Sequence, residues 1–228
     1  MGYQLIHGDC LEVMPTLESG SVDAVITDPP YGIDFKSNGQ WFTGAKSIHG
    51  DKTTELAEIV AKFYSGKTVM MFFSPYRPYN INWRNVLVWN KGGHVGIGGD
   101  RETCWKRDFE LIGVRDNRPL NGFRDSAVLN FNAVLPPPSG HFAEKPVGLM
   151  AYLIRKLTNP GDTIIDPFMG SGSTIVAAIQ EGRNAIGIER DADYFAIAQQ
   201  RCLEATYQPS LFTPQPTQWE PVAMFGDD

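Results

Sequence analysis

A chain of 228 residues, 42% hydrophobic and 20% charged, is long enough to bury one substantial core and too apolar to be disordered or fibrous. Three separated cysteines (Cys10, Cys104, Cys202) without a CxxC pair argue against a disulfide framework, and four single histidines (His7, His49, His94, His141) against a metal site, so a reducing compartment and no metal are expected. The net charge of −6 disfavours a phosphate-bearing partner, but residues 77–124 carry +4 and the remainder −10, which keeps an anion-binding face admissible.

The N-terminal stretch MGYQLIHGDC has neither a basic start nor an apolar core, and no run of about 18 apolar residues occurs, so a cytoplasmic protein is expected. YQLIHGD reads as a short strand, CLEVMPTL as a helical turn and VDAVITD as a β-branched strand ending at a double proline. Residues 32–52 follow neither period and form a long loop. In TTELAEIVAKFYSG, Leu56, Ile59, Val60 and Phe63 recur at helical spacing, with Gly66 as the stop. TVMMFFS, RNVLVWN, DFELIGVR and SAVLNF are strand-length apolar runs. The glycines at 92, 93, 96, 98 and 99 precede no helix and lack a GK[ST] ending, so they read as a surface loop and not a phosphate cradle.

The run EKPVGLMAYLIRKLTNPGD predicts a helix burying Val147, Met150, Ala151, Ile154 and Leu157 and closing at Asn159, Pro160 and Gly161. DTIIDPF, STIVAAIQEG, NAIGIE and DADYFAIAQQRCLEAT then read as strand, helix, strand and acid-capped helix. Such alternation implies an α/β protein with a mainly parallel sheet covered on both faces. Residues 1–206 are expected to form one domain, followed by an irregular Pro- and Gln-rich tail over 207–228.

DTIIDPFMGSGST is a strand, a glycine-rich turn and a helix, the arrangement that brings backbone N–H groups to a ligand at the strand's carboxyl end. It is not GxGxxG: Asp166 stands where a dinucleotide fold would place its first glycine. That carboxylate would repel a pyrophosphate and favour an ammonium group or a ribose hydroxyl, which points away from NAD and toward a cofactor bearing an amino group and a sulfonium. Glu189 ends the next strand 23 residues later, near the separation of roughly 20 expected for a residue gripping a ribose diol.

Together, DPPY at 28–31, EKPV at 144–147, DPFMGSGST at 166–174, GDCLEVM at 8–14 and IGIE at 186–189 resemble the S-adenosylmethionine-dependent DNA amino-methyltransferases of the β arrangement, in which the catalytic motif precedes the cofactor motif. The resemblance covers most of residues 1–200. It implies a Rossmann-like fold with a permuted, mostly parallel seven-stranded sheet, with YQLIHGD lying beside NAIGIE. It also implies a cofactor site drawn from Asp9, Cys10, Asp28, His141, Lys145, Asp166, Pro167, Phe168, Gly170, Ser171, Gly172, Glu189 and Arg190. Asp9 would reach the adenine of S-adenosyl-L-methionine, and His141 and Lys145 its methionine carboxylate.

The catalytic assignment is Asp28, Pro29, Pro30 and Tyr31. An exocyclic amino group is a poor nucleophile because its lone pair is delocalised, so acceptors aimed at its protons would draw it toward a tetrahedral state. Asp28 supplies one acceptor and the Pro29 carbonyl, fixed by the double proline, a second. An exposed Tyr31 ring would stack on a base extruded from duplex DNA, with Phe35 and Trp41 assisting. The family tendency of Asp before PPY favours adenine N6; cytosine N4 and a non-catalytic DNA-binding relative stay open. Residues 115–142 are all that is left for target recognition, with Arg115, Arg118 and Arg124 as expected DNA contacts. A homodimer and a restriction endonuclease partner are both compatible with the resemblance.

Overall fold

The computed structural model describes residues 2–33, 50–92, 108–116, 118–134 and 144–207. Along the chain run β1 (Tyr3–His7), α1 (Cys10–Val13), a 3-10 turn (Met14–Thr16), β2 (Ala24–Thr27), α2 (Glu55–Phe63), β3 (Thr68–Phe73), β4 (Asn85–Asn90), β5 (Phe109–Arg115), β6 (Val128–Asn130), α3 (Val147–Leu157), β7 (Thr163–Asp166), α4 (Ser173–Gln180), β8 (Asn184–Glu189) and α5 (Ala192–Tyr207). The strands form one sheet in the order β1-β8-β7-β2-β3-β5-β4-β6.

Every pairing is parallel except those of β5, which runs against β3 and β4. The sheet has eight strands, not seven, because the three-residue β6 pairs parallel with β4 at the edge. β1 lies beside β8, with Tyr3 opposite Ala185 and His7 opposite Glu189, as the permuted order requires.

Alternate strand residues feed two cores. Ile26, Met70, Phe72, Ile112 and Ile164 face α3, α4 and α5, whereas Val25, Val69, Met71, Phe73, Ile165 and Ile188 face α1 and α2. All six residues of β3 are buried, as a central strand covered on both faces requires. Two helices sit differently from their sequence pattern. In α2 the buried face is Ala57, Val60 and Ala61 with Tyr64 beyond, while Ile59 and Phe63 are about half exposed. In α3, Leu149 and Leu153 are buried besides Met150, Ala151, Ile154 and Leu157, because the helix packs on both the sheet and α4.

Among the described residues no helix is long and apolar enough to cross a membrane, and no group of His, Cys, Asp and Glu is placed to hold a metal. The tail from 208, residues 135–142 of the proposed recognition insert, and Gly93, Gly96, Gly98 and Gly99 lie outside the described residues.

Candidate active site

The carboxyl ends of β1, β8, β7, β2 and β3 open into one cleft of about 1310 Å³. The antiparallel β5 brings its first residues, Phe109 and Glu110, to the same rim. The two motifs, 138 positions apart in the chain between Asp28 and Asp166, meet there. Their link is direct: Thr27 Oγ1 donates to Asp166 Oδ1 at 2.6 Å.

The turn after β2 is held from outside. Gly32 and Ile33 N–H donate to the buried Asp51 carboxylate at 2.7 and 3.4 Å. Gly32 has φ 74°, and a Cβ there would lie 3.0 Å from the Thr53 backbone, so only glycine closes this turn. The buried Tyr79 hydroxyl lies 3.1 Å from the Phe72 carbonyl and 3.5 Å from that of Pro30. Asp28, about a quarter exposed, thus projects from a fixed frame.

Asp28 is not alone. Tyr31 Oη donates to Asp28 Oδ1 at 2.6 Å and lies 3.0 Å from Glu110 Oε2. Lys145 Nζ pairs with Asp28 Oδ2 and, at 3.3 Å, with Glu110 Oε2. Lys91 Nζ holds Glu110 Oε1 at 2.5 Å. Asp28, Glu110, Lys91 and Lys145 therefore form one cluster that is neutral with all four ionised, although burial, opposed by Lys145 and reinforced by Glu110, raises the Asp28 carboxyl; Lys145 also lies over the rings of Phe72, Tyr31 and Trp89 at 5.0, 5.7 and 5.9 Å. Although burial works against both charges, Lys145 and Lys91 hold the Glu110 carboxyl below its ordinary value, and Asp28 and Glu110 hold the Lys145 ammonium above its own. Burial, reinforced by Asp28 and Glu110, raises the Tyr31 phenol, so its hydroxyl stays protonated and acts as a donor.

The glycine turn after β7 forms the other wall. Asp166 accepts from Phe168 N–H at 3.1 Å as well as from Thr27. Gly172, at φ 85°, caps α4, and a Cβ there would meet Ala198 Cβ at 3.1 Å. Glu189 accepts from Gly170 N–H at 2.9 Å and Asp191 N–H at 2.7 Å, tying the turn to the start of α5. Arg201 of α5 donates to Ser171 O and Oγ, both at 2.8 Å, and pairs with Glu144 beside Lys145. Two carboxylates, each held by backbone N–H groups, thus line this side of the cavity, a set suited to an amino group and ribose hydroxyls.

Burial pushes the Asp166 carboxyl up to about 6 from an ordinary 3.8. The folded state then binds the proton more tightly than the unfolded chain, so stability from this group falls as pH rises from about 4 to 6 and the full cost stands above pH 6. Asp166→Asn is expected to stabilise the ligand-free protein at pH 7.5 by on the order of 1–2 kcal/mol after loss of an acceptor, read as a raised thermal midpoint, with the gain vanishing below about pH 4. A lower midpoint at pH 7.5 in paired melts would contradict this.

Of the other sequence-predicted residues, Cys10 packs its side chain into the α1/α2 core, its thiol pushed up to about 11 by burial. Asp9 caps α1 through Leu11 N–H and pairs with the exposed Arg190 at 3.1 Å. Pro29, Pro30, Pro167, Phe168, Gly170 and Ser171 line the cleft. Tyr31 is half buried and not freely exposed, because its hydroxyl turns inward to the two carboxylates. Lys145 contacts Asp28 and Glu110, where the resemblance implied a cofactor carboxylate. His141, Phe35 and Trp41 lie outside the described residues.

The three arginines expected at DNA are not at the cleft. Since β5 is antiparallel, Arg115 ends it at the opposite edge of the sheet, opposite Val69, and caps α2 by donating to Ala61 O at 2.6 Å. Arg118 pairs with Asp162, just before β7, at 2.9 Å. Arg124 is exposed in a segment held to the C-terminal end of α3 through Asn121 and Phe123. Among the described residues the cations lining the cleft are Arg77, Lys91, Lys145 and Arg190, with the exposed Tyr76 beside Arg77. Sequence reasoning missed Glu110, Lys91, Tyr76 and Arg77; the SPYR loop was accessible to it, since it follows a strand that reads as central and parallel.

A DNA methylase family model covering N6 and N4 enzymes matches residues 100–200. The chain is 31% identical over 214 residues to "Putative methylase YubD" of Escherichia coli (strain K12), covering 87% of this chain and 89% of that protein. Its fold matches the crystal structure of an M1.HpyAVI–SAM complex with a TM-score of 0.63 at 25% identity, covering 87% of this chain and 98% of the other. It matches the PvuII DNA methyltransferase (cytosine-N4-specific) with a TM-score of 0.69 at 16% identity, covering 88% and 86%.

Proposed function

This chain belongs to the S-adenosylmethionine-dependent DNA methyltransferases of the N6/N4 amino type, and from that membership we propose that it methylates the N6 amino group of adenine in DNA, with the target base turned out of the duplex into the cleft. The observation that carries this reading is the bond from Thr27 to Asp166, which puts the first residue of DPPY one position away from the cofactor wall. S-adenosyl-L-methionine, when bound, supplies an electrophilic methyl group on sulfonium. Asp166, Glu189 and the Gly170–Gly172 turn would hold it, with Asp9 toward its adenine end.

Asp28 accepts a hydrogen bond from the incoming amino group and draws electron density onto its nitrogen, with the Pro29 carbonyl as second acceptor. No base of raised strength is needed before attack, because the proton leaves from a nitrogen already made cationic; Asp28 is placed to take it. The half-buried Tyr31 ring forms one wall against which the base lies. Asp in the first position of the motif favours adenine. The fold likeness to a cytosine-N4-specific enzyme keeps cytosine N4 as the second reading.

The test is incubation with unmethylated genomic DNA and methyl-labelled S-adenosylmethionine, followed by digestion to nucleosides. Label in N6-methyl-2′-deoxyadenosine is expected. Label in N4-methyl-2′-deoxycytidine would replace adenine by cytosine, and no label in any nucleoside would favour a non-catalytic relative.

A further inference from the structure

Asp28, the acceptor in the reading above, has both carboxylate oxygens engaged inside the protein: Oδ1 by the Tyr31 hydroxyl and Oδ2 by the Lys145 ammonium. An acceptor already neutralised by an ammonium group polarises an incoming amino group less than a free carboxylate does. Both occupying donors have the same second partner, Glu110 Oε2, at 3.0 Å from Tyr31 Oη and 3.3 Å from Lys145 Nζ. A tyrosine hydroxyl carries one proton and so serves Asp28 or Glu110, not both at full strength. Glu110 is itself anchored, since Lys91 binds its other oxygen, Oε1, at 2.5 Å.

We propose that Glu110 is a positioning residue that receives Lys145 and the Tyr31 hydroxyl when the target amino group takes their place on Asp28. The inference rests on Asp28 being the amino-group acceptor. A rotation of the hydroxyl and a shift of the ammonium by under about an ångström complete the exchange. The cluster stays neutral throughout, and no buried charge is left without a partner. Burial of Glu110 and Lys145, at 15% and 8% side-chain exposure, keeps water from substituting for either.

The test compares single-turnover methylation of unmethylated genomic DNA, at saturating S-adenosylmethionine, by the wild type, Glu110→Gln, Lys145→Met and the double variant, with Asp28→Asn in parallel. Glu110→Gln is expected to lower the rate about 10- to 100-fold, as loss of a hydrogen bond to a charged group does, with donor affinity changed less than about twofold. In the Lys145→Met background the same substitution is expected to cost less than about threefold, because one of the two groups to be handed over is gone. An equal cost in both backgrounds marks a merely structural role and overturns the proposal, as does a wild-type rate in Glu110→Gln.

Glu110→Asp keeps the charge but withdraws the carboxylate by one methylene. It carries the test where the glutamine or methionine variants do not fold: a rate loss with wild-type donor affinity upholds the exchange, and an unchanged rate overturns it. A rate within about tenfold of wild type in Asp28→Asn would instead bring down the reading of Asp28. An inactive Asp28→Asn beside fully active Glu110 variants would bring down only the exchange.

Discussion

Replacing Glu189 by alanine is expected to weaken S-adenosylmethionine binding about 100-fold or more while leaving the fold intact. Its carboxylate is at the end of β8 and bridges two backbone donors, Gly170 N–H at 2.9 Å and Asp191 N–H at 2.7 Å. It therefore fixes the glycine turn that the donor must approach and also offers acceptor lone pairs toward the cleft it lines. Each hydrogen bond to a charged group is worth about 1.5–3 kcal/mol, and two lost to a ribose diol account for about 100-fold or more even before the turn loosens. Glu189→Gln, which keeps one acceptor, should fall between. Calorimetric titration with the donor checks both, and an alanine variant within about threefold of wild-type affinity would remove Glu189 from the donor site.

Asp28→Asn carries the other large effect, on turnover and not on donor binding. Asparagine keeps the shape of the side chain and one carbonyl acceptor but loses the negative charge that draws electron density onto the amino nitrogen. A preorganised polar group at a reacting centre is worth about 2.7–4 kcal/mol, so the transfer rate is expected to fall by roughly 10²–10³-fold or more. The frame around it, Asp51 on Gly32 and Tyr79 beside Pro30, does not involve the Asp28 side chain. The fold should therefore survive, and a rate within tenfold of wild type in a well-folded variant would contradict the role.

The cofactor wall was readable from the sequence because its geometry is local. A buried β-branched strand, a glycine turn and a helix follow one another over residues 163–180, and the acid at 189 ends the next strand. The position of β1 beside β8 was likewise implied by the order of motifs. Glu110 was not readable, because its place at the cleft depends on β5 running antiparallel, a property of pairing that an apolar run does not encode. The same reversal carried Arg115 to the far edge of the sheet, so a reading of basic residues by proximity in sequence misplaced it. Tyr31 seemed exposed because nothing in DPPY announces the two carboxylates that draw its hydroxyl inward. The buried face of α2 differs from its apolar stripe for a further reason: the stripe weights the large residues Ile59 and Phe63, whereas the face turned inward carries Ala57, Val60 and Ala61.

The central claim is that one cleft performs two separable duties, holding the methyl donor on the β7–β8 side and gripping the amino group at Asp28. Donor binding and methyl transfer measured on the same preparation of Asp28→Asn test it most directly. The account predicts wild-type donor affinity in a protein whose methyl-transfer rate has fallen about 10²-fold or more. Wild-type transfer, or loss of donor binding and transfer together in a folded protein, would contradict it.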